Sequence, residues 1–277
     1  MIEIESVYCI NIRKRPDRLE QFIVECERAG THRLSKGINL TTNWEKNLNG
    51  EDITQEWLKE NNMGVFDWQM ECDYKWWNRP LTKGEMGCTI SHTEIWKRAT
   101  GYTLILEDDV LFTPNWIAKL NITINKLKDW DLLYLGRVPQ KTGEKIVCTG
   151  IVKPDYSYCT YAYILSPRGI KKIQKYEVEK SIIPADEFLT STYIEHPRMD
   201  VRLKYFKTWP IVIHANGPGK EGEVWKKTIK MFEEMEERTE PQPEEFDLTI
   251  MTWTVAGEKT ILQDCFAKMN VNLILLE

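Results

Sequence analysis

The chain has 277 residues, of which 42% are hydrophobic and 29% charged, and its formal net charge is -5. These values are ordinary for a globular protein and exclude a largely disordered chain. Residues 233–247 carry a net charge of -7, so the remainder of the chain sums to +2. A nucleic-acid-binding protein would show a strongly basic face, and this distribution argues against one.

The cysteines and the two ends of the sequence indicate a cellular compartment. The seven cysteines form no CxxC pair and no metal-ligand spacing, which is typical of free thiols in a reducing compartment. The first strand is expected to begin at residue 6 or 7, which leaves no room for a signal peptide, and no apolar run approaches membrane-spanning length. Residues 273–277 do not form a retention signal. The sequence therefore predicts a cytoplasmic protein without a membrane span.

The chain opens with a strand, a basic turn and a helix. Residues 7–12 predict a strand, and residues 13–18 form a basic turn in which Pro16 opens a helix. Gly30 is expected to end that helix. Many nucleotide-binding α/β domains begin in this way. Arginines in such a turn can meet a phosphate, although in most turns they are simply solvated.

Residues 40–80 are irregular and rich in tryptophan. Tryptophans on a loop-rich surface suit stacking against sugar rings, but most tryptophans fill a core, and both interpretations remain open. A regular helix resumes within residues 81–101. The five tryptophans of the irregular stretch are Trp44, Trp57, Trp68, Trp76 and Trp77.

Three consecutive acids follow a short apolar run. Residues 103–106 predict a buried strand, and Glu107, Asp108 and Asp109 must emerge at its carboxyl end, because a strand buried on both faces cannot hold them. In open α/β sheets this edge binds ligands. Adjacent carboxylates repel one another unless a cation compensates them, and oxygen ligands suit Mg²⁺ or Mn²⁺. The alternative is a solvated acidic turn.

Strands and helices alternate through the rest of the chain up to residue 219. This order predicts an α/β fold with a mostly parallel sheet covered on both sides. We expect helices at 114–128, 167–176 and 184–193, and strands at 131–136, 160–166 and 209–214.

The last quarter of the chain suggests a domain boundary. A helix-like run at 225–235 passes into an acidic, proline-containing stretch, and residues 248–276 then repeat a strand–helix–strand order. We therefore predict one domain over 1–236, a linker over 237–247 and an incomplete βαβ unit over 248–277.

Several ordered motifs resemble those of family 25 glycosyltransferases, and most closely the procollagen galactosyltransferases. The resemblance covers roughly residues 7–197. His-Ala-Asn-Gly-Pro at 214–218 is similar instead to the end of the glycosyltransferase domain of the multifunctional lysyl hydroxylases. The motifs are Asn11 with Arg-Pro-Asp-Arg (15–18), Gly-Glu-Met-Gly-Cys (84–88) with Ser91, His92 and Trp96, Leu-Glu-Asp-Asp (106–109), residues 130–136, Asp-Tyr-Ser-Tyr (155–158), Ala162 and Tyr163 with Ser166 and Gly169, and Pro-Ala-Asp-Glu-Phe-Leu (184–189) with His196 and Pro197.

This resemblance implies a GT-A type, Rossmann-like domain that uses a UDP-sugar donor and a divalent cation, Mn²⁺ or Mg²⁺. It implies Asp109 and His214 as direct metal ligands, with Glu107 and Asp108 holding ribose, metal waters or supporting positions. A lone histidine at the end of an apolar strand is more often a hydrogen-bonded core residue, but the Asn-Gly-Pro-Gly turn after His214 and the resemblance favour a metal ligand. The candidate donor-binding residues are Asn11, Arg13, Arg18, Lys83, Glu107, Asp108, Gly217 and Lys220.

An inverting transfer, which is the stereochemistry of the family, also needs a general base. Asp186 and Glu187 are the candidates, and we favour Asp186. The structural alternative is that acids at a helix start only complement the helix dipole. Since neighbouring residues at a helix start point in different directions, we expect one to serve the acceptor and the other the fold.

The leading hypothesis is therefore transfer of galactose or glucose to hydroxylysine of a collagen-like protein. A second is a transferase of the same family that builds lipooligosaccharide. A third is a non-catalytic module that binds nucleotide-sugars or glycans. The sequence does not determine which sugar is transferred or whether the chain forms a homodimer.

Overall fold

The structure is a computed structural model that describes residues 3–34, 38–40, 49–141, 144–201 and the strand 212–215. Only the backbone is described for Leu40 and for residues 212–215. Gly217, Lys220, Trp44 and the predicted units at 237–247 and 248–277 lie outside these residues, so those expectations stay predictions.

Eight described strands form one sheet in the order β2-β1-β3-β7-β4-β8-β6-β5. Six of them point in one direction, and β6 and β7 run opposite to their neighbours. The predicted fold class, an α/β domain with a mostly parallel central sheet, is confirmed. The strands are β1 (Ser6–Ile10), β2 (Ile38–Leu40), β3 (Thr103–Glu107), β4 (Leu132–Pro139), β5 (Lys145–Cys148), β6 (Ile151–Lys153), β7 (Ser157–Leu165) and β8 (Val212–Ala215).

The helices connect these strands, and their ends follow the sequence signals. Pro16 stands in the first turn of α1, and Gly30 ends it with a left-handed φ of 72°, as expected. At the start of α3, Thr82 and Glu85 form a reciprocal capping box. The helices are α1 (Pro16–Ala29), α2 (Gln55–Glu60), α3 (Lys83–Arg98), α4 (Trp116–Asn125), α5 (Pro167–Ile173) and α6 (Ala185–Ser191).

Apolar side chains cover both faces of the sheet, as β3 illustrates. Leu104 and Leu106 belong to one core cluster, and Ile105 belongs to the cluster on the opposite face, because successive residues of a strand point to opposite sides. Trp96 of α3 packs on the Ile105 side, whereas Phe22 of α1 packs on the Leu106 side. The acids at the end of β3 are thus held by a strand that is packed on both faces.

The expected start of β7 differs from the structure. The strand expected at 160–166 begins three residues earlier, at Ser157, because its first residues pair with the end of β4. Between two successive β4 pairings, Gly136 with Ala162 and Val138 with Tyr158, β7 advances four residues and β4 only two. The extra residues form a bulge, and Cys159 within it has a positive φ of 67°.

Two further expectations concern thiols and membranes. None of the six cysteines in the described part of the chain forms a disulfide. No helix in that part is both long and apolar enough to cross a bilayer.

Candidate active site

The carboxyl ends of β1 and β3 meet the first residues of β7 at one edge of the sheet. Ile10 pairs with Glu107, and the antiparallel direction of β7 places its start beside the end of β3. Loops from three separated parts of the chain therefore converge at this edge, as expected for a ligand site in an open α/β sheet.

Glu107 faces α3, on the same side of β3 as Ile105. Its Oε1 accepts a hydrogen bond of 2.7 Å from Thr160 Oγ1 and lies 3.6 Å from His92 Nε2. Burial acts to raise the pKa of Glu107, but the neighbouring His92 and the Thr160 hydroxyl lower it overall. Glu107 is thus a carboxylate held in the ionised form and in a fixed orientation.

His92 is fully buried and is oriented by a chain of hydrogen bonds. Its Nδ1 lies 2.8 Å from the hydroxyl of Tyr163, which also accepts a bond of 2.8 Å from Trp96 Nε1. Its Nε2 lies 3.2 Å from Thr160 Oγ1. The imidazole is therefore fixed in direction, with Nε2 turned toward the acidic edge.

Arg18 of α1 compensates the other two acids of the triplet. Its Nη1 lies 2.9 Å from Asp108 Oδ1, and its Nη2 lies 2.8 Å from Asp109 Oδ2. Asn11 Nδ2 donates to Asp108 Oδ2 at 2.6 Å. Burial raises the pKa of Asp108 despite these two partners. The structure therefore brings together Asn11, Arg18 and the acidic triplet, which the sequence analysis had assigned separately to donor and metal binding.

The two other donor candidates among the described residues are exposed. Arg13 is exposed in the turn after β1. Lys83 is exposed at the start of α3, and its Nζ donates to the backbone oxygen of Glu51 at 3.1 Å. The roles proposed for these two residues stay predictions.

Asp186, at the start of α6, receives two backbone hydrogen bonds. Its Oδ2 accepts from the N–H of Cys159 at 2.9 Å, and its Oδ1 accepts from the N–H of Glu187 at 2.8 Å. The bulge in β7 releases the Cys159 N–H for this contact. Burial, and then the charge of Glu187, raise the pKa of Asp186 to about 7, even though its side chain keeps some exposure.

Glu187 is fully buried, and three side chains donate to its carboxylate. Trp76 Nε1 lies at 2.6 Å, the Tyr156 hydroxyl at 2.9 Å and His196 Nε2 at 2.6 Å. His196 Nδ1 accepts from the Arg198 N–H at 3.1 Å, so Nε2 carries the proton that is donated to Glu187. The two neighbouring acids thus have different surroundings: Glu187 lies in a buried hydrogen-bond network, whereas Asp186 keeps some exposure.

In the described part of the tryptophan-rich stretch, the tryptophan side chains mainly pack against other residues. Trp68 is buried and packs edge to face against Trp76, with 6.3 Å between the ring centroids. The ring centroids of Trp76 and Tyr158 lie 5.8 Å apart. Trp57 packs against a small cluster around α3. Because Trp76 also bonds to Glu187, this stretch is tied to the residue next to Asp186.

His214 lies on β8, three strands away from β3 in the sheet order. Its backbone pairs with Tyr134, which pairs with Tyr163, which in turn pairs with Ile105. At ~4.8 Å per strand, this register places its backbone roughly 14 Å from that of Ile105. Only the backbone of His214 is described, so the prediction that His214 and Asp109 bind the same metal ion stays a prediction.

One group of metal-ligating side chains stands out in the described part of the chain. Ligand atoms of Cys88, His92 and Glu107 all lie within 4.8 Å of one another. Burial raises the pKa of the Cys88 thiol well above its usual value, and Glu107 and Asp186 raise it further. Cys88 and His92 were not predicted as candidate ligands, although their spacing of four residues on one helix places them on the same face.

Comparison with known sequences identifies the fold family. The sequence model described as "Glycosyltransferase family 25 (LPS biosynthesis protein)" matches residues 4–189. The chain belongs to glycosyltransferase family 25. The matched region contains every described element of the edge site from Asn11 to Glu187.

Curated relatives match most of this chain but only part of their own length. "Procollagen galactosyltransferase 1-A" of Xenopus laevis is 32% identical over 72% of this chain and 33% of its own. "Procollagen galactosyltransferase 2" of Homo sapiens is 28% identical over 76% and 35%. "Inactive glycosyltransferase 25 family member 3" of Homo sapiens is 31% identical over 76% and 34%. The chain therefore spans about a third of the length of these relatives.

Proposed function

We propose that this protein is a metal-dependent inverting hexosyltransferase that transfers galactose or glucose from a UDP-sugar to hydroxylysine of a collagen-like protein. The observation that carries this proposal is Asp186, a partly exposed carboxylate with a pKa of about 7 at the edge that holds the acidic triplet. Membership of family 25 supplies the reaction class.

Asp186 has the properties of a general base for an acceptor hydroxyl. A base works best when its pKa lies near the working pH, because it is then both ionised and able to take a proton. Two backbone N–H groups fix the orientation of the carboxylate. Glu187 is less suited to this role because its oxygens already accept from Trp76, Tyr156 and His196.

The donor side of the site would lie at the acidic triplet. Glu107 and Asp109 offer hard carboxylate oxygens, which suit Mg²⁺ or Mn²⁺, so the donor set fits such an ion. When bound, the ion would neutralise negative charge on the diphosphate leaving group. Arg18 pairs with Asp108 and Asp109, which places a guanidinium where it can also contact a phosphate.

The acceptor is proposed from the printed names of the relatives, two of which are procollagen galactosyltransferases. The family description as an LPS biosynthesis protein supports a glycan acceptor as the second candidate. The inactive human relative supports the third candidate, a module that binds without catalysis.

A donor-hydrolysis screen tests the proposal. The purified chain is incubated with UDP-galactose, UDP-glucose and other UDP-sugars, each with Mn²⁺ and with chelator, and released UDP is measured. We expect one hexose donor to be hydrolysed only when the metal is present. Active donors are then offered with a hydroxylysine peptide and with a lipooligosaccharide acceptor, and the acceptor that gains sugar selects between the first two candidates. Donor binding without turnover of any donor would favour the third.

A further inference from the structure

Three chemically different ligands meet between α3 and β3. Cys88 and His92 lie four residues apart on one face of α3, and Glu107 ends β3 opposite them. Their thiol, imidazole and carboxylate atoms lie within 4.8 Å of one another. Cys88 and Glu107 are partly exposed, so the group is open to the ligand-binding edge.

The imidazole is already oriented as a ligand. A metal-binding histidine normally donates its other ring N–H to a fixed acceptor. The Tyr163 hydroxyl lies 2.8 Å from His92 Nδ1 and has a lone pair remaining after it accepts from Trp96. Nε2 faces Glu107 and Cys88, and a cation bound there would require the ring proton to lie on Nδ1, where Tyr163 can accept it. Thr160 fixes the Glu107 carboxylate in the same way.

We propose that Cys88, His92 and Glu107 form a binding site for a thiophilic divalent cation of the Zn²⁺ class. Thiolate and imidazole favour Zn²⁺ over Mg²⁺ and Mn²⁺, and three protein ligands with one open position form a common zinc arrangement. Ligand atoms of a tetrahedral zinc ion stand roughly 3.3–3.8 Å apart, given its bond lengths. The three ligand atoms therefore need to approach one another by at most roughly 1–1.5 Å to bind such an ion.

The charges balance when the ion binds. The Cys88 thiol loses its proton to solvent as the sulfur–metal bond forms, and one thiolate and one carboxylate then neutralise the two positive charges. The proton lost by Cys88 makes binding tighter as the pH rises.

This site would regulate the activity proposed above, and that consequence rests on the proposed function. Glu107 belongs both to the thiophilic site and to the proposed donor-side metal site. A zinc ion bound to Cys88 and His92 would hold Glu107 away from the donor cation. Zn²⁺ should therefore inhibit transfer, and added Mn²⁺ should not restore it fully as long as Cys88 is present.

The test uses Co²⁺ as a spectroscopic substitute for Zn²⁺ on the full, reduced chain. Co²⁺ bound to a thiolate gives an intense charge-transfer band in the near ultraviolet. We expect the band in the wild-type protein, its loss on addition of Zn²⁺ and its persistence in excess Mg²⁺. Cys88→Ser should abolish the band, and Cys159→Ser should retain it as a matched control, because Cys159 is a second thiol close to Cys88.

His92→Asn is a second variant, and it should weaken Co²⁺ binding at least tenfold while the thiolate band remains at saturation. If this buried substitution prevents folding, Glu107→Gln replaces it, because Glu107 is partly exposed. We expect the same result, weaker Co²⁺ binding with the thiolate band retained at saturation. Absence of the band in the wild type, its retention in Cys88→Ser or its loss in Cys159→Ser alone would each overturn the proposal. Because the readout is spectral, these results stand whether or not the chain transfers sugar.

Discussion

Replacement of Asp186 by Asn tests the proposed base most directly. Asn keeps the size of Asp186 but cannot accept a proton at neutral pH. If Asp186 is the base, transfer should fall by ~10² to 10⁴-fold, the range that general-base catalysis contributes. Donor affinity should change little, because the acidic triplet and Arg18 are untouched.

The same substitution has a second, independent effect on stability. The pKa of Asp186 is raised from 3.8 to about 7 in the folded protein, a change of about three units, which corresponds to at most roughly 4 kcal/mol. Because the folded-state pKa is the higher one, the folded protein binds the proton more tightly than the unfolded chain. The stabilising contribution is complete below the unfolded pKa near 4 and is lost as the pH rises through about 7.

The assay combines transfer rates with urea unfolding at pH 5 and pH 8. Asp186→Asn should lose less unfolding free energy between these two pH values than the wild type. Asp155→Asn is the matched control. The Asp155 carboxylate pairs with Lys141 at the surface. Burial acts to raise the pKa of Asp155, but hydrogen bonds from the Tyr156 N–H and from Lys141 lower it overall. Wild-type transfer in Asp186→Asn, with an unchanged pH dependence of stability, would refute both parts of the reasoning.

The remaining predictions concern the surroundings of this residue. Glu187→Gln should lower the free energy of unfolding by about 1.5–3 kcal/mol, because an amide nitrogen would face the donors Trp76, Tyr156 and His196; an unchanged urea midpoint would contradict this. Asp109→Ala should abolish Mn²⁺-dependent turnover with the circular dichroism spectrum preserved, and the effect of His214→Ala should not add to it if both hold one ion. A chain ending near residue 237 should still melt cooperatively and hydrolyse donor, whereas insolubility would show that the later residues complete this domain.

Much of the fold follows from local sequence signals. The strand before Glu107 was predicted because four apolar residues end abruptly in charge, and β3 confirms it. The ends of α1 were predicted because Pro16 and Gly30 have backbone preferences that act within one turn. Such signals depend only on residues that are close together in the chain.

The contacts within the site could not be predicted from local sequence signals, because they join residues that are distant in the chain. Arg18 meets Asp108 and Asp109 across about ninety positions, and no periodicity links the two segments. The bulge at Cys159 arises from the register between β7 and β4, which a single strand pattern does not encode. Neighbouring acids such as Asp186 and Glu187 look alike in sequence and differ only in the partners that the fold brings to them.

The position of β8 has a consequence for how this sheet is assembled. β8 is the last described strand along the chain, yet it lies between β4 and β6, which are made earlier. Until residues 212–215 have been synthesised, the backbone groups of β4 and β6 that face this gap lack their partners. Open strand edges of this kind are templates for pairing with other chains. A nascent chain halted before residue 212 should therefore aggregate more readily than one released after residue 215.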